Sequence, residues 1–229
     1  MITITNLSKS FGSKQILKNI NICFERGTVY GIVGENGAGK TTLFRCIAGL
    51  ENYDGQITSE LNPLKNHLGL LFTEPFFFTK ITGKEYIRLL CNARKKEVPD
   101  IDNKNIFDLP LNQYASTYST GMKKKLTMTA ILLQDNQCFI LDEPFNGVDI
   151  HSNMIIVEII RKLKDMGKTV IVSSHIFSTL SDTCNEIFLL SNGEIVRKAA
   201  REDFAALELE MKKFTVDNKI EKLKAILFT

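Results

Sequence analysis

The chain has 229 residues, 44% hydrophobic and 24% charged, with 29 Lys+Arg against 26 Asp+Glu. That length suits one α/β domain with a small appendage, burying roughly 70–75% of the unfolded surface. The composition excludes a disordered chain, and a net charge of +3 gives no electrostatic ground for a nucleic-acid partner or an anionic membrane.

Met1-Ile2-Thr3-Ile4-Thr5 alternates apolar and polar residues as a strand does, unlike a secretory leader with its basic start and apolar core. Ile2 and Ile4, then Ile16, Ile20, Ile22 and Phe24, predict strands of an antiparallel layer broken by a loop at residues 10–13. The apolar run Thr28–Val33 predicts a strand that enters a glycine-rich loop and then a helix over Thr41–Ala48, stopped by Gly49. Strand, loop and helix in that order open a parallel sheet. Further strands are expected at 68–72, 138–141, 169–173 and 186–190, alternating with helices over 121–133 and 151–166 and a short one after His175. Between Thr82 and Tyr118 the apolar density falls. A helix from Gly83 to about Lys96 there gives way to Glu97-Val98-Pro99-Asp100, a small helical excursion from the sheet. The tail from Arg201 is charged and helix-prone. It carries Phe204, Leu207 and Met211 on one face and a second stripe at Ile220, Leu223, Ile226 and Leu227, read as a packing helix. No apolar run approaches the ~18 residues of a membrane-spanning helix. Five scattered cysteines (Cys23, Cys46, Cys91, Cys138, Cys184) without a CxxC pair read as reduced, partly buried core residues of a cytosolic protein.

Two segments carry chemistry. Gly34-Glu35-Asn36-Gly37-Ala38-Gly39-Lys40-Thr41 fits G-x-x-x-x-G-K-[ST], with Thr42 next in the helix. Glycines let successive N–H groups approach phosphate, and the helix N-terminus adds its positive end. Lys40 would supply charge to the β- and γ-phosphates, and the Thr41 hydroxyl would bind Mg²⁺. Cys138-Phe139-Ile140-Leu141-Asp142-Glu143 places an acidic pair at the end of an apolar strand, where ligands collect in open α/β sheets. Asp142 is the natural Mg²⁺ partner, and Glu143 could polarise an attacking water. Together they make a P-loop NTPase that binds a nucleotide with Mg²⁺.

Tyr118-Ser119-Thr120-Gly121-Met122, followed by Lys123-Lys124-Lys125, resembles the signature segment of ATP-binding-cassette (ABC) ATPases. Pro144-Phe145-Asn146-Gly147-Val148-Asp149 resembles that family's D-loop, Ile171–His175 its switch-histidine strand, and Phe11 stands where the family stacks an aromatic on adenine. The resemblance spans about residues 2–200. It implies an α/β ABC ATPase core with a mixed, largely parallel sheet (about 1–73 and 119–200), an N-terminal antiparallel β layer, a helical subdomain (about 74–118) and a helical tail (201–229). It also implies ATP as nucleotide, Glu143 as general base and His175 at the γ-phosphate. Two such chains would close head-to-tail, each ATP lying between the phosphate loop of one and Ser119 and Gly121 of the other, with Asp149 coupling the two sites. By itself Lys123–Lys125 reads as a solvated face, and a lone histidine at a strand end as structural; the ordering of motifs reverses only the second of these.

The chain departs from the family pattern in three places. Thr73 aligns with the Q-loop glutamine, with Glu74 as a substitute one residue on. Thr120 and Tyr118 replace a glycine and a leucine of the signature, and the helical excursion is short. Glu74 followed by Pro75-Phe76-Phe77 resembles the antibiotic- and bacteriocin-resistance export branch. The reading that follows is an ATPase subunit peripheral to the inner face of the cell membrane, acting with a second ABC ATPase subunit and a separately encoded integral membrane permease, export slightly favoured, with no nucleic-acid partner. The runner-up is a soluble ABC ATPase acting on DNA or ribosomes. The absence of a long heptad segment between the two nucleotide motifs and the single cassette speak against it. A third reading, a regulatory cassette without hydrolysis, is disfavoured by the intact pair Glu143 and His175.

Overall fold

A computed structural model describes residues 1–211. Strands β1 (Ile2–Phe11) and β2 (Lys14–Phe24) form the expected antiparallel pair, and β1 continues through Phe11, so the turn is only Gly12-Ser13. After β3 (Val29–Val33) and helix α1 (Lys40–Ile47), β4 (Asp54–Ser59) returns to pair with the other edge of β1. Its sequence, with Ile57 as the one bulky apolar residue, carries no period-two signal for an expectation to rest on.

The second sheet is built by β3, β5 (Leu68–Leu71), β6 (Cys138–Asp142), β7 (Thr169–Ser174), β8 (Glu186–Ser191) and β9 (Glu194–Ala200), in the order β5-β6-β7-β3-β8-β9. All pairings are parallel except β8 with β9. The two halves of the predicted site therefore lie two strands apart, after β3 and after β6, and β7 runs between them. The registers Val33↔Ser174 and Asp142↔Ser173 bring the three strand ends level.

Alternation along these strands makes two cores. Val29, Val33, Phe139, Leu141, Val170 and Val172 face one side of the sheet; Tyr30, Ile32, Cys138, Ile140 and Ile171 face the other, against Leu43, Phe44 and Ile47 of α1 and the inner face of the first sheet. Carried one step further, the same period turns Asp142 and Ser173 towards α1. The opposite face is covered by α2 (Gly83–Asn92), α3 (Thr120–Leu133), α4 (Ile150–Asp165) and α5 (Phe177–Ser181).

Thr82 opens α2 with a reciprocal capping box to Glu85. The helix ends at Asn92, short of the expected Lys96, because Lys95 takes a left-handed conformation (φ 54°) and Lys96 N–H returns to the Cys91 carbonyl. Segment 74–118 does not have a core of its own: Tyr86, Ile87, Phe107, Leu109 and Leu111 join the cluster under the sheet. Helical residues 204–211 bury Phe204 and Leu207 and lay Met211 on that cluster as expected. The Ile220–Leu227 stripe lies outside the described residues. Four of the five free cysteines are buried, whereas Cys23, expected partly buried, is exposed. Burial pushes the Cys46 thiol up to about 11 and those of Cys138 and Cys184 to about 12, which keeps them protonated and inert. No helix among the described residues is long and apolar enough to cross a membrane.

Candidate functional site

Gly34–Gly39 links β3 to α1 and wraps the N-terminus of that helix. Gly39 is the residue before the helix and sits at φ 111°, where a Cβ would fall 2.8 Å from Leu17 Cδ2. The first turn of α1 contains no acidic residue, so its partial positive charge is unopposed. The loop closes around its own lysine. Lys40 is buried; its ammonium donates to the carbonyls of Gly34 (2.7 Å) and Glu35 (3.2 Å) and lies 3.4 Å from Glu143 Oε1. Ala38 is buried beneath the loop, while Asn36, Gly37, Thr41 and Thr42 face the open side.

Asp142 is completely buried and accepts three hydroxyl protons: from Thr41 (2.6 Å), from Thr73 (2.9 Å) and from Ser173 (2.5 Å). The Ser173 oxygen in turn accepts the Glu143 N–H at 3.0 Å. No group of three or more His, Cys, Asp or Glu among the described residues could hold a metal alone. The hard oxygens of Asp142 and Thr41, completed by substrate phosphates and water, are instead the sparse donor set that suits Mg²⁺. Of the two Q-loop candidates, Thr73 is the one that bonds to Asp142, while Glu74 lines the cleft beside it.

Glu143 leaves β6 in a left-handed conformation (φ 51°), which swings its side chain away from the strand direction. Its Oε2 meets His175 Nδ1 at 2.9 Å. Its Oε1 is buried without a hydrogen-bond partner, Lys40 being close but outside bonding geometry. A desolvated carboxylate oxygen with a free lone pair, next to the lysine of a phosphate loop, can accept a proton from a water molecule. The His175 side chain is more than a third exposed, so the ring that meets Glu143 stays in part open to solvent.

The phosphate loop and Glu143 open on one cleft of about 890 Å³, lined by Phe11, Asn36, Gly37, Gly39, Lys40, Thr41, Thr42, Thr73, Glu74 and Glu143 among others; Asp142 is buried behind it, and His175 is not part of its lining. Phe11, half exposed at its edge, has the Lys9 ammonium 4.6 Å from its ring centroid.

Ser119 and Gly121 are outside that cleft. Ser119 caps α3, its oxygen accepting the Met122 N–H at 3.2 Å. Gly121 is required within this chain, since a Cβ there would stand 2.5 Å from the Gly147 carbonyl oxygen. Asp149 likewise caps its own helix: it accepts from Ser152 N (2.8 Å) and Ser152 Oγ (2.8 Å) and pairs with Lys125 at 3.3 Å. Those bonds, the Ser152 N–H foremost, hold its carboxyl well below the usual carboxylate range.

One expectation about the charged residues near the site fails. The run Lys123–Lys125 is not a solvated face. Lys124 is 1% exposed and donates to the carbonyls of Glu143 (2.6 Å) and Asn146 (2.8 Å), and Lys125 reaches Asp149 and Ser152. Burial pulls the Lys124 ammonium below its ordinary value against the opposing pull of Glu143, Asp142 and Glu74. The signal was present: Gly121, Lys124, Met128 and Ile131 recur at helical spacing and are all buried. Ser173 was also missed, because a serine in an apolar strand has no pattern of its own.

The family model for ABC transporters matches residues 17–146. The chain is 32% identical over 222 residues to an ABC transporter ATP-binding protein, NatA of Bacillus subtilis, covering 88% of this chain and 90% of the relative. It is 30% identical over 234 residues to a methionine import ATP-binding protein, MetN of Clostridium tetani, covering 93% of this chain and 74% of that protein. Among solved structures it is similar to the dimeric post-hydrolysis state of the ATP-binding cassette MJ0796 bound to ADP and Pi, with a TM-score of 0.79 and 20% identity over 88% of this chain and 99% of the other. At that identity the likeness speaks to the fold.

Proposed function

The chain belongs to the ABC transporter family, and from that premise we propose that it is the Mg²⁺-dependent ATP-hydrolysing subunit of a transporter whose permease is a separate polypeptide. The observation that carries this reading is the convergence of three strand ends: Thr41 on Asp142, and Lys40 and His175 on Glu143. In this reading ATP stacks its base on Phe11 and threads its phosphates over the backbone of Gly34–Gly39. Lys40 exchanges the Gly34 and Glu35 carbonyls for the β- and γ-phosphates, and Asn36 and Thr42 flank them. Mg²⁺ held by Thr41 and Asp142 would neutralise developing charge on the phosphates. Glu143 Oε1 takes a proton from the attacking water, while His175, anchored through Nδ1, turns its other nitrogen to the γ-phosphate.

Each chain holds half of two sites. Ser119 and Gly121 at the start of α3 offer N–H groups and a helix N-terminus to the nucleotide of a second subunit, homologous or identical. Energy released in closure and reopening is passed to the permease through segment 74–118, so the chain works at the inner face of the membrane. Direction belongs to the permease. The resemblance of Glu74–Phe77 favours export, and the relatives include both kinds, a linearmycin resistance protein of Bacillus subtilis and a lantibiotic transport protein of Streptococcus pyogenes beside the methionine import protein.

The test is Glu143→Gln. The variant is expected to bind ATP, lose turnover and accumulate as an ATP-bound dimer in size exclusion. Wild-type turnover in that variant removes Glu143 as the base.

A further inference from the structure

A lysine ammonium buried to 1% exposure is costly unless its donors are engaged, and Lys124 meets that cost in an unusual way. No carboxylate pairs with it within 4.0 Å among the described residues; it bonds instead to two backbone carbonyls, those of Glu143 and Asn146. Those carbonyls bracket the turn that carries the proposed base. The turn is not one the chain would keep unaided: Glu143 is held at φ 51°, uncommon for a residue with a side chain. Glu143 is therefore gripped from two sides, its N–H by Ser173 from β7 and its carbonyl by Lys124 from α3. Gly121, one turn earlier on α3, lies against the Gly147 carbonyl, and Lys125 grips Asp149 and Ser152 at the far end of the same loop. The whole stretch from Glu143 to Ser152 is thus fastened to one helix.

We propose that Lys124 is a positioning residue for Glu143: by holding the Glu143 and Asn146 carbonyls it fixes the left-handed turn that aims the Glu143 carboxylate into the phosphate cleft. This rests on the assignment of Glu143 as base. It carries a consequence for the paired sites. The helix whose capped end, Ser119, faces the second subunit's nucleotide is the helix that sets this chain's own base. A shift of α3 on closure moves the Glu143 carbonyl with it, so hydrolysis in one site depends on how the signature of the same chain is seated in the other.

The test compares the full chain with Lys124→Met, which keeps the length and removes the donors, with Lys124→Gln, which keeps a donor, and with Glu143→Gln in parallel. MgATP affinity is read with a fluorescent nucleotide and turnover by phosphate release. Lys124→Met is expected to lower kcat about 10- to 100-fold with nucleotide Kd and KM within about threefold of wild type, since a base displaced by a fraction of an ångström costs turnover rather than binding. Lys124→Gln is expected to recover at least about threefold of that loss, again at unchanged KM. Should the methionine variant fail to fold, the glutamine variant decides alone, with kcat below wild type at unchanged KM. A folded Lys124→Met with wild-type kcat overturns the proposal, as does a loss of nucleotide binding in proportion to kcat. Turnover that survives in Glu143→Gln instead overturns the base assignment beneath it.

Discussion

Removing one buried hydroxyl, by Ser173→Ala, tests whether the strand between the two halves of the site holds them in register. Ser173 has no exposed surface; its Oγ donates to Asp142 Oδ1 at 2.5 Å and accepts the Glu143 N–H at 3.0 Å. The first bond, to an ionised acceptor, is worth about 1.5–3 kcal/mol, and a buried N–H left without a partner costs about 1–3 kcal/mol. Against these, alanine has no hydroxyl to desolvate, and Asp142 keeps two donors, Thr41 and Thr73, on its other oxygen. The net expectation is a loss of about 2–3 kcal/mol in folding free energy. Equilibrium urea unfolding of wild type and variant without nucleotide or Mg²⁺ measures it free of ligand linkage, as a lower midpoint at unchanged slope. Because the same hydroxyl orients both Asp142 and Glu143, kcat/KM is expected to fall about 10- to 100-fold in parallel. A stability change under about 0.5 kcal/mol, the level of an ordinary surface substitution, would falsify the reasoning, whatever the activity did.

Thr73→Val keeps the shape of the Q-loop residue and removes its bond to Asp142, so the Mg²⁺ concentration for half-maximal ATPase activity should rise roughly tenfold. Glu74→Gln should leave that value within about twofold, and the reverse ranking would return the Q-loop role to Glu74. Asp149 supplies a pH signature. Its folded carboxyl titrates below the ordinary value of 3.8, chiefly through the Ser152 N–H, so the stability it contributes is full above that pH and is lost as pH falls through the folded value. Asp149→Ala should therefore lower Tm at neutral pH, and the gap to wild type should narrow steadily as pH drops below about 4. A gap that stays constant or widens on acidification refutes the capping role.

Much of this protein was legible before its fold. Period-two alternation located β1 and β2, and short apolar runs located β3, β5, β6, β7 and β8, strands that lie between the two cores. The loop from Gly34 to Thr41 and the pair Asp142 and Glu143 were legible for a different reason. Phosphate and Mg²⁺ constrain which residue types can serve at short, contiguous spacing, and that constraint is written in sequence order. What failed were inferences from local polarity. Lys123–Lys125 looked like a solvated run because charge usually is, yet α3 turns its middle lysine inward, where two carbonyls of a distant loop are available.

The sequence by itself determined the phosphate loop, the acidic pair and most of the elements, β4 and β9 excepted. Tertiary structure alone decided which of these groups meet. Strand order set β7 between β3 and β6, and so placed Ser173 on Asp142 and Glu143, and His175 on Glu143. It also decided that Ser119, Gly121 and Asp149 are engaged within their own chain and lie apart from the cleft. The pairs Ser173 and Asp142, Ser173 and Glu143, and His175 and Glu143 each stand 30 or more residues apart. Contacts at such separations come from sheet order and helix packing, which no local spacing of residue types records.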